Sequence, residues 1–180
     1  EKVYSLIVAP SLVEEPSMVI SIKSFDGYTT LGNITFEPSE SPYIFNEGAF
    51  ENCTATSFTI DASLLGSIPT TAETLTITSG DIKYLGTTRN LNLKMLIIRA
   101  EVSSIEESAF RECNSLSSVS VLARVDKIGS YTFYKCPKLT TIELSSSIKT
   151  IGQSAFASCT SLGQIELGSN VTSIEKNAFK

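Results

Sequence analysis

From Ala109 to Phe179 the chain repeats itself with a period of 23 residues. Phe110, Phe133, Phe156 and Phe179 are 23 apart, as are Cys113, Cys136 and Cys159. The same step links Leu116, Leu139 and Leu162; Val119, Ile142 and Ile165; and Val121, Leu144 and Leu167. It also links Val125, Ile148 and Val171, then Ile128, Ile151 and Ile174. A unit this short cannot enclose a core of its own, so columns held in one register are buried only when successive units stack. The period therefore demands a solenoid. It says nothing yet about what the scaffold does.

Within a unit, a stretch such as Ser118-Val119-Ser120-Val121 alternates with period two and reads as a short half-buried strand. Stacked units place equivalent strands side by side in a parallel sheet, ~4.8 Å apart. The return segment, for example 153–159, sets Phe156 and Cys159 three apart, which fits one face of a helix of at most about two turns. Glu106, Glu107 and Glu175 suit a helix N-terminus, and Pro137 ends the element after Cys136.

Upstream the register loosens. Ile34-Thr35-Phe36 is the first repeat strand, and Ala49-Phe50 with Cys53 keeps the later spacing. Strand-to-strand steps from Ile34 to Ile165 run 24, 17, 21, 23, 23 and 23 residues. Residues 61–92 lack the Ala-Phe-x-x-Cys element, and Thr87-Thr88-Arg89-Asn90 leads straight to Leu91, so the solenoid is expected to be irregular there and regular from 93. Residues 1–32 do not follow the repeat. Val3–Val8 and Met18–Ile22 read as short strands, with Pro10, Pro16 and Asp26-Gly27 as turns, and form a β-rich N-terminal cap on a solenoid spanning 33–180. The chain opens on Glu1 rather than Met and stops one residue after the last Phe, with no terminal cap, so leading and following segments are both open readings.

The pattern A-F-x-x-C-x-x-L-x-x-[VI]-x-[VL], then [VI] and I, resembles the BspA-like, or Treponema-type, leucine-rich repeats. It is carried most fully by Ala155, Phe156, Cys159, Leu162, Ile165, Leu167, Val171 and Ile174. The match is specific over 93–180, recognisable at 45–60, weak at 61–92 and absent at 1–32; Thr132 departs from the Ala column. The resemblance implies an α/β solenoid. This would be a right-handed superhelix with a parallel sheet on its concave face and short helices or turns on its convex face. It also implies a secreted or cell-surface setting in bacteria or some protists, and adhesin-like binding of host matrix proteins or other cells. The family brings no shared catalytic residues.

Composition narrows the chemistry. The chain has no histidine, which removes Ser-His-Asp and Cys-His nucleophile systems and the commonest metal ligand; carboxylate-only mechanisms stay open. Net charge is −5, with lysines and arginines scattered, so no basic patch offers itself to a nucleic acid. No apolar run approaches the ~18 residues that span a bilayer. Cys53, Cys113, Cys136 and Cys159 share one inward column; neighbours there sit beyond disulfide reach, and no C-x-x-C pair exists for zinc. Free structural thiols are expected, with no cofactor and no metal. Asn33, Asn52 and Asn170 head Asn-x-Thr triplets, a pattern that also arises by chance.

The outward strand positions are mostly small and polar, and two groups stand out. Met95, Ile97 and Leu122 form an apolar island beside Arg99, the composition of an interaction patch unless the irregular stretch lets them pack inside. Glu143 and Glu166 fall on adjacent strands, where like charges repel by a few tenths of a kcal/mol. The expected function is a monomeric, non-catalytic module that binds a protein or glycan through these residues. The alternative is a structural spacer in a larger surface protein.

Overall fold

The computed structural model describes residues 4–9, 18–21, 23–26, 31–37, 39, 43–83 and 92–180. Val3, Pro10, Pro16, Ile22, Gly27 and the 87–91 stretch lie outside them. The chain is a parallel β-solenoid. Its main sheet holds β1 (Tyr4–Val8), β3 (Leu31–Phe36), β5 (Ser57–Ile60), β6 (Thr74–Ile82), β7 (Met95–Ile105), β8 (Ser118–Val121) and β10 (Thr141–Leu144), in that order. A second column of short strands runs down the side. It comprises β2 (Met18–Ile20) with β4 (Tyr43–Phe45), and β9 (Lys127–Ile128), β11 (Thr150–Ile151) and β12 (Ser173–Ile174). All pairs are parallel, as stacking of like units requires.

The register matches the sequence pattern from Ile34 onward. Ile34 pairs with Phe58, Phe58 with Leu75, Leu75 with Leu96, Leu96 with Val119, and Val119 with Ile142. These residues alternate with outward Ser and Thr, and all but the half-buried Ile142 are closed off from solvent. The irregular stretch is absorbed by two register shifts between β6 and β7, between Ile77 and Ser79 and between Gly80 and Asp81. Across them β7 carries two more residues than β6, which accommodates the shorter unit without breaking the sheet.

The expected convex helices are absent; among the described residues only Ala62–Leu64 is helical, as one 3₁₀ turn. The return segments are β-turns, and the reason is backbone handedness. Ser108, Tyr131, Ser154 and Asn177 have φ of 63°, 56°, 51° and 58°, and Glu112, Lys135 and Ser158 have φ of 61°, 55° and 61°. Two left-handed residues thus flank the pairs 109–110, 132–133 and 155–156, and a right-handed helix cannot run through them. The N–H groups alternate in destination. Those of Ala155, Ala157 and Cys159 bond back within the unit to Gly152, Ser154 and Phe156. Those of Ser154, Phe156 and Ser158 donate across to the carbonyls of Lys176, Ala178 and Lys180 at 3.0, 2.8 and 2.6 Å. A helix would consume every donor internally; this arrangement gives the solenoid a third inter-unit ladder, beside those of the main sheet and the side column.

The Phe column becomes a stack. Phe110 on Phe133, Phe133 on Phe156 and Phe156 on Phe179 lie 5.8, 5.4 and 5.4 Å apart, within 11° of parallel. The N-terminal segment shares this geometry. Lys23 has φ 55°, like Gly48 at 75°, and Phe25 stacks on Phe50 at 5.0 Å. Ile20 pairs with Phe45 in the side column, and β1 joins the main sheet beside β3. Thr132, in an otherwise alanine column, is fully buried and donates its hydroxyl to the Gly129 carbonyl at 2.9 Å.

Candidate functional site on the sheet face

The outward face of the main sheet is set by the strand register. One row runs Asn33, Ser57, Thr74, Met95, Ser118, Thr141, and the next Thr35, Thr59, Thr76, Ile97, Ser120, Glu143. At its N-terminal side the face is polar and internally bonded. Asn33 donates to Thr35 Oγ1 at 3.0 Å, and Ser57 donates to Asn33 Oδ1 at 3.0 Å. Thr78 donates to the Ile60 carbonyl at 2.9 Å. Asp61, beside this row, accepts from Ser79 Oγ at 2.7 Å and from Ser63 N at 2.8 Å. Burial pushes its carboxyl up, but these hydrogen bonds outweigh it and hold Asp61 below the usual carboxylate range.

Halfway along, the chemistry changes. Met95 is 42% exposed and Leu122 37%, with Ile97 half-buried and Arg99 exposed between them. β7 carries Met95, Ile97 and Arg99; Leu122 is placed beside them because its N–H donates to the Ile98 carbonyl at 2.8 Å. These side chains point outward rather than into the core, whose Leu96, Ile98, Val119 and Val121 are at most 2% exposed. The structure brings these four predicted residues onto one face.

Glu143 and Glu166 are arranged otherwise than the repeat suggests. Glu143 lies on β10 and accepts from Ser120 Oγ at 2.7 Å. Residues 164–168 form no strand, so the two carboxylates are not on adjacent strands. Both line a shallow groove of ≈ 620 Å³, together with Gln164 and Leu167. Gly163 accounts for the missing strand. At the equivalent positions Ser117 donates its hydroxyl to the Lys94 carbonyl at 2.9 Å, and Thr140 to the Ser117 carbonyl at 3.1 Å. Glycine has no hydroxyl to continue that ladder and a high conformational cost in a strand.

None of the four cysteines is in a disulfide. Cys136 and Cys159 donate their thiols to the carbonyls of Phe110 and Phe133 at 3.4 and 3.1 Å. Contact with the Cys113 thiol, with burial, raises the Cys136 pKa; contact with Cys136, with burial, raises that of Cys159. Such thiols are protonated packing groups, not nucleophiles. Among the described residues no three His, Cys, Asp or Glu side chains converge on a metal-sized site, and no helix is long and apolar enough to cross a membrane. Of the sequon asparagines, Asn170 donates to the Ser146 carbonyl at 2.7 Å, Asn33 is bonded as above, and Asn52 is exposed at a left-handed turn residue, φ 58°.

Residues 10–72 and 87–180 match the BspA type leucine rich repeat region in six copies. The chain belongs to the BspA-type leucine-rich repeat family. Its repeats are those of a protein-interaction module. Three solved structures are similar to it. A leucine-rich repeat protein from Bacteroides ovatus is 22% identical with a TM-score of 0.45, covering 88% of this chain and 42% of that one. The Treponema pallidum leucine rich repeat protein is 16% identical with a TM-score of 0.40, covering 88% and 83%. A leucine rich cell surface protein from Faecalibacterium prausnitzii is 17% identical with a TM-score of 0.30, covering 97% and 78%. The chain thus spans less than half the length of the Bacteroides ovatus protein. No curated protein matches it.

Proposed function

We propose that this chain is a non-catalytic, surface-exposed recognition module that binds a protein or glycan through the outward face of its main sheet. The carrying observation is the patch of Met95, Ile97 and Leu122 beside Arg99, on an otherwise polar face. Exposed apolar side chains next to an arginine have the composition of an interface centre, with the hydroxyl rows and Glu143 and Glu166 as its polar surround. Membership of a repeat family built for interaction supports the reading. Arrays of glycans and immobilised matrix proteins, probed with the intact chain, would find the ligand. Alanine at Met95, Ile97 and Arg99 together should then weaken binding at least tenfold with an unchanged melting curve. Undiminished binding by that triple variant would refute the patch, and no ligand on any array would favour a spacer.

A further inference from the structure

The turn face of the molecule carries a second cluster, built from three consecutive units. Tyr131 and Tyr134 meet edge-on at 5.6 Å. Arg111, from the preceding unit, places its guanidinium 5.0 Å from the Tyr134 ring centre, and Lys135 places its ammonium 5.3 Å from it. From the following unit, Gln153 donates to the Tyr131 hydroxyl at 2.9 Å.

The fold does not ask for these residues. At the position of Tyr131 the other units have Lys23, Gly48, Ser108, Ser154 and Asn177, all with positive φ and none aromatic. A large aromatic side chain is an outlier in the left-handed region, and strain of this kind concentrates where function requires a particular group. Tyrosine and arginine are also the residues that dominate interface energetics. The charge of the cluster indicates the partner. Arg111 donates from Nε to Glu112 at 3.2 Å, and Lys135 is in no ion pair among the described residues. A surplus of cation beside tyrosine rings, on a chain of net charge −5, suits a few carboxylates interleaved with apolar contact. A dense polyanion would be repelled by the rest of the chain.

We propose that Arg111, Tyr131, Tyr134 and Lys135 form a second interaction surface, on the turn face, for an acidic polypeptide segment. The test is fluorescence anisotropy of the full chain with a fluorescein-labelled peptide of repeated Asp-Glu-Tyr triplets, at low salt and at high salt. Binding should weaken with salt, and Arg111→Ala, Lys135→Ala and Tyr131→Ser should each weaken it at least fivefold, while Val19→Ala, at an exposed position on β2 outside both surfaces, leaves it unchanged. Tyr131→Ser installs the residue that two neighbouring units carry, so its melting temperature should equal or exceed that of the parent. Peptide binding that is absent, indifferent to these variants or outcompeted by a sulfated heparin hexasaccharide would overturn the proposal. So would a drop in melting temperature for Tyr131→Ser, which would make the tyrosine a structural residue. Because none of these variants touches the sheet-face patch, failure here leaves the sheet-face reading standing.

Discussion

At the residue scale, the least negotiable position is Gly152. A Cβ built there would lie 2.7 Å from the Gly129 carbonyl carbon and the Ser130 nitrogen, and 2.8 Å from the Ile128 oxygen. All three are backbone atoms of the preceding unit, held there by the Gly152 N–H bond to Ile128 at 2.8 Å, so they cannot step aside cheaply. Gly152→Ala should destabilise by about 1–3 kcal/mol, as an overpacked site does, and thermal or denaturant melts would measure it. Gly163→Ala is the matched control, because nothing lies within 4 Å of its would-be Cβ. Gly129 and Gly152 each follow a column isoleucine in the sequence, but how closely each stands against backbone, 3.2 Å for Gly129 and 2.7 Å for Gly152, depends on how closely two turns approach.

At the scale of elements, the turns explain both what was legible and what was not. A Phe and Cys three apart fit a helix face or a β-turn series equally well, because the spacing reports a shared direction and not the backbone that produces it. The left-handed residues that decide the matter are Ser, Tyr, Glu, Lys and Asn, and few of these signal positive φ. Glu175 shows the consequence. Instead of sitting at a helix N-terminus, its carboxylate accepts from Lys127 Nζ at 3.0 Å and from Gln153 N at 2.9 Å, clasping β9 and β11 to β12. The Lys127 and Gln153 contacts hold its pKa below the usual carboxylate range. A carboxyl whose pKa is depressed on folding stabilises above its unfolded value, and that contribution disappears as pH falls through the folded value. Glu175→Gln should therefore melt earlier than the parent at pH 7, with the gap closing as pH falls below ~4. A gap that persists at pH 3 would show that the ion pair is not its origin.

At the scale of the whole molecule, each unit contacts its neighbours through interchangeable surfaces: the sheet, the side column, the turn ladder and the Phe stack. Deleting residues 131–153 removes one period and brings Phe110 against Phe156 in the same register. Such a chain should keep a cooperative melt and its β-rich circular dichroism at reduced stability, as nearest-neighbour energetics require. Deleting residues 131–141 shifts every downstream column off register and should abolish the cooperative transition.

By itself the sequence determined the stacking axis. A 23-residue period with apolar columns has one way to bury them, so the parallel register from Ile34 to Ile142 followed from counting. Tertiary structure decided what pairwise spacing cannot encode. It placed Phe25 on Phe50 although no Ala precedes it and no Cys follows, because a stack tests the ring and not the motif around it. It removed the strand at Ile165, where Gly163 interrupts a ladder that exists only between units. It also gathered Arg111, Tyr131, Tyr134, Lys135 and Gln153, which look like unrelated variable positions along the chain, onto one ridge. Periodicity registers what is repeated, and these features arise where neighbouring units differ.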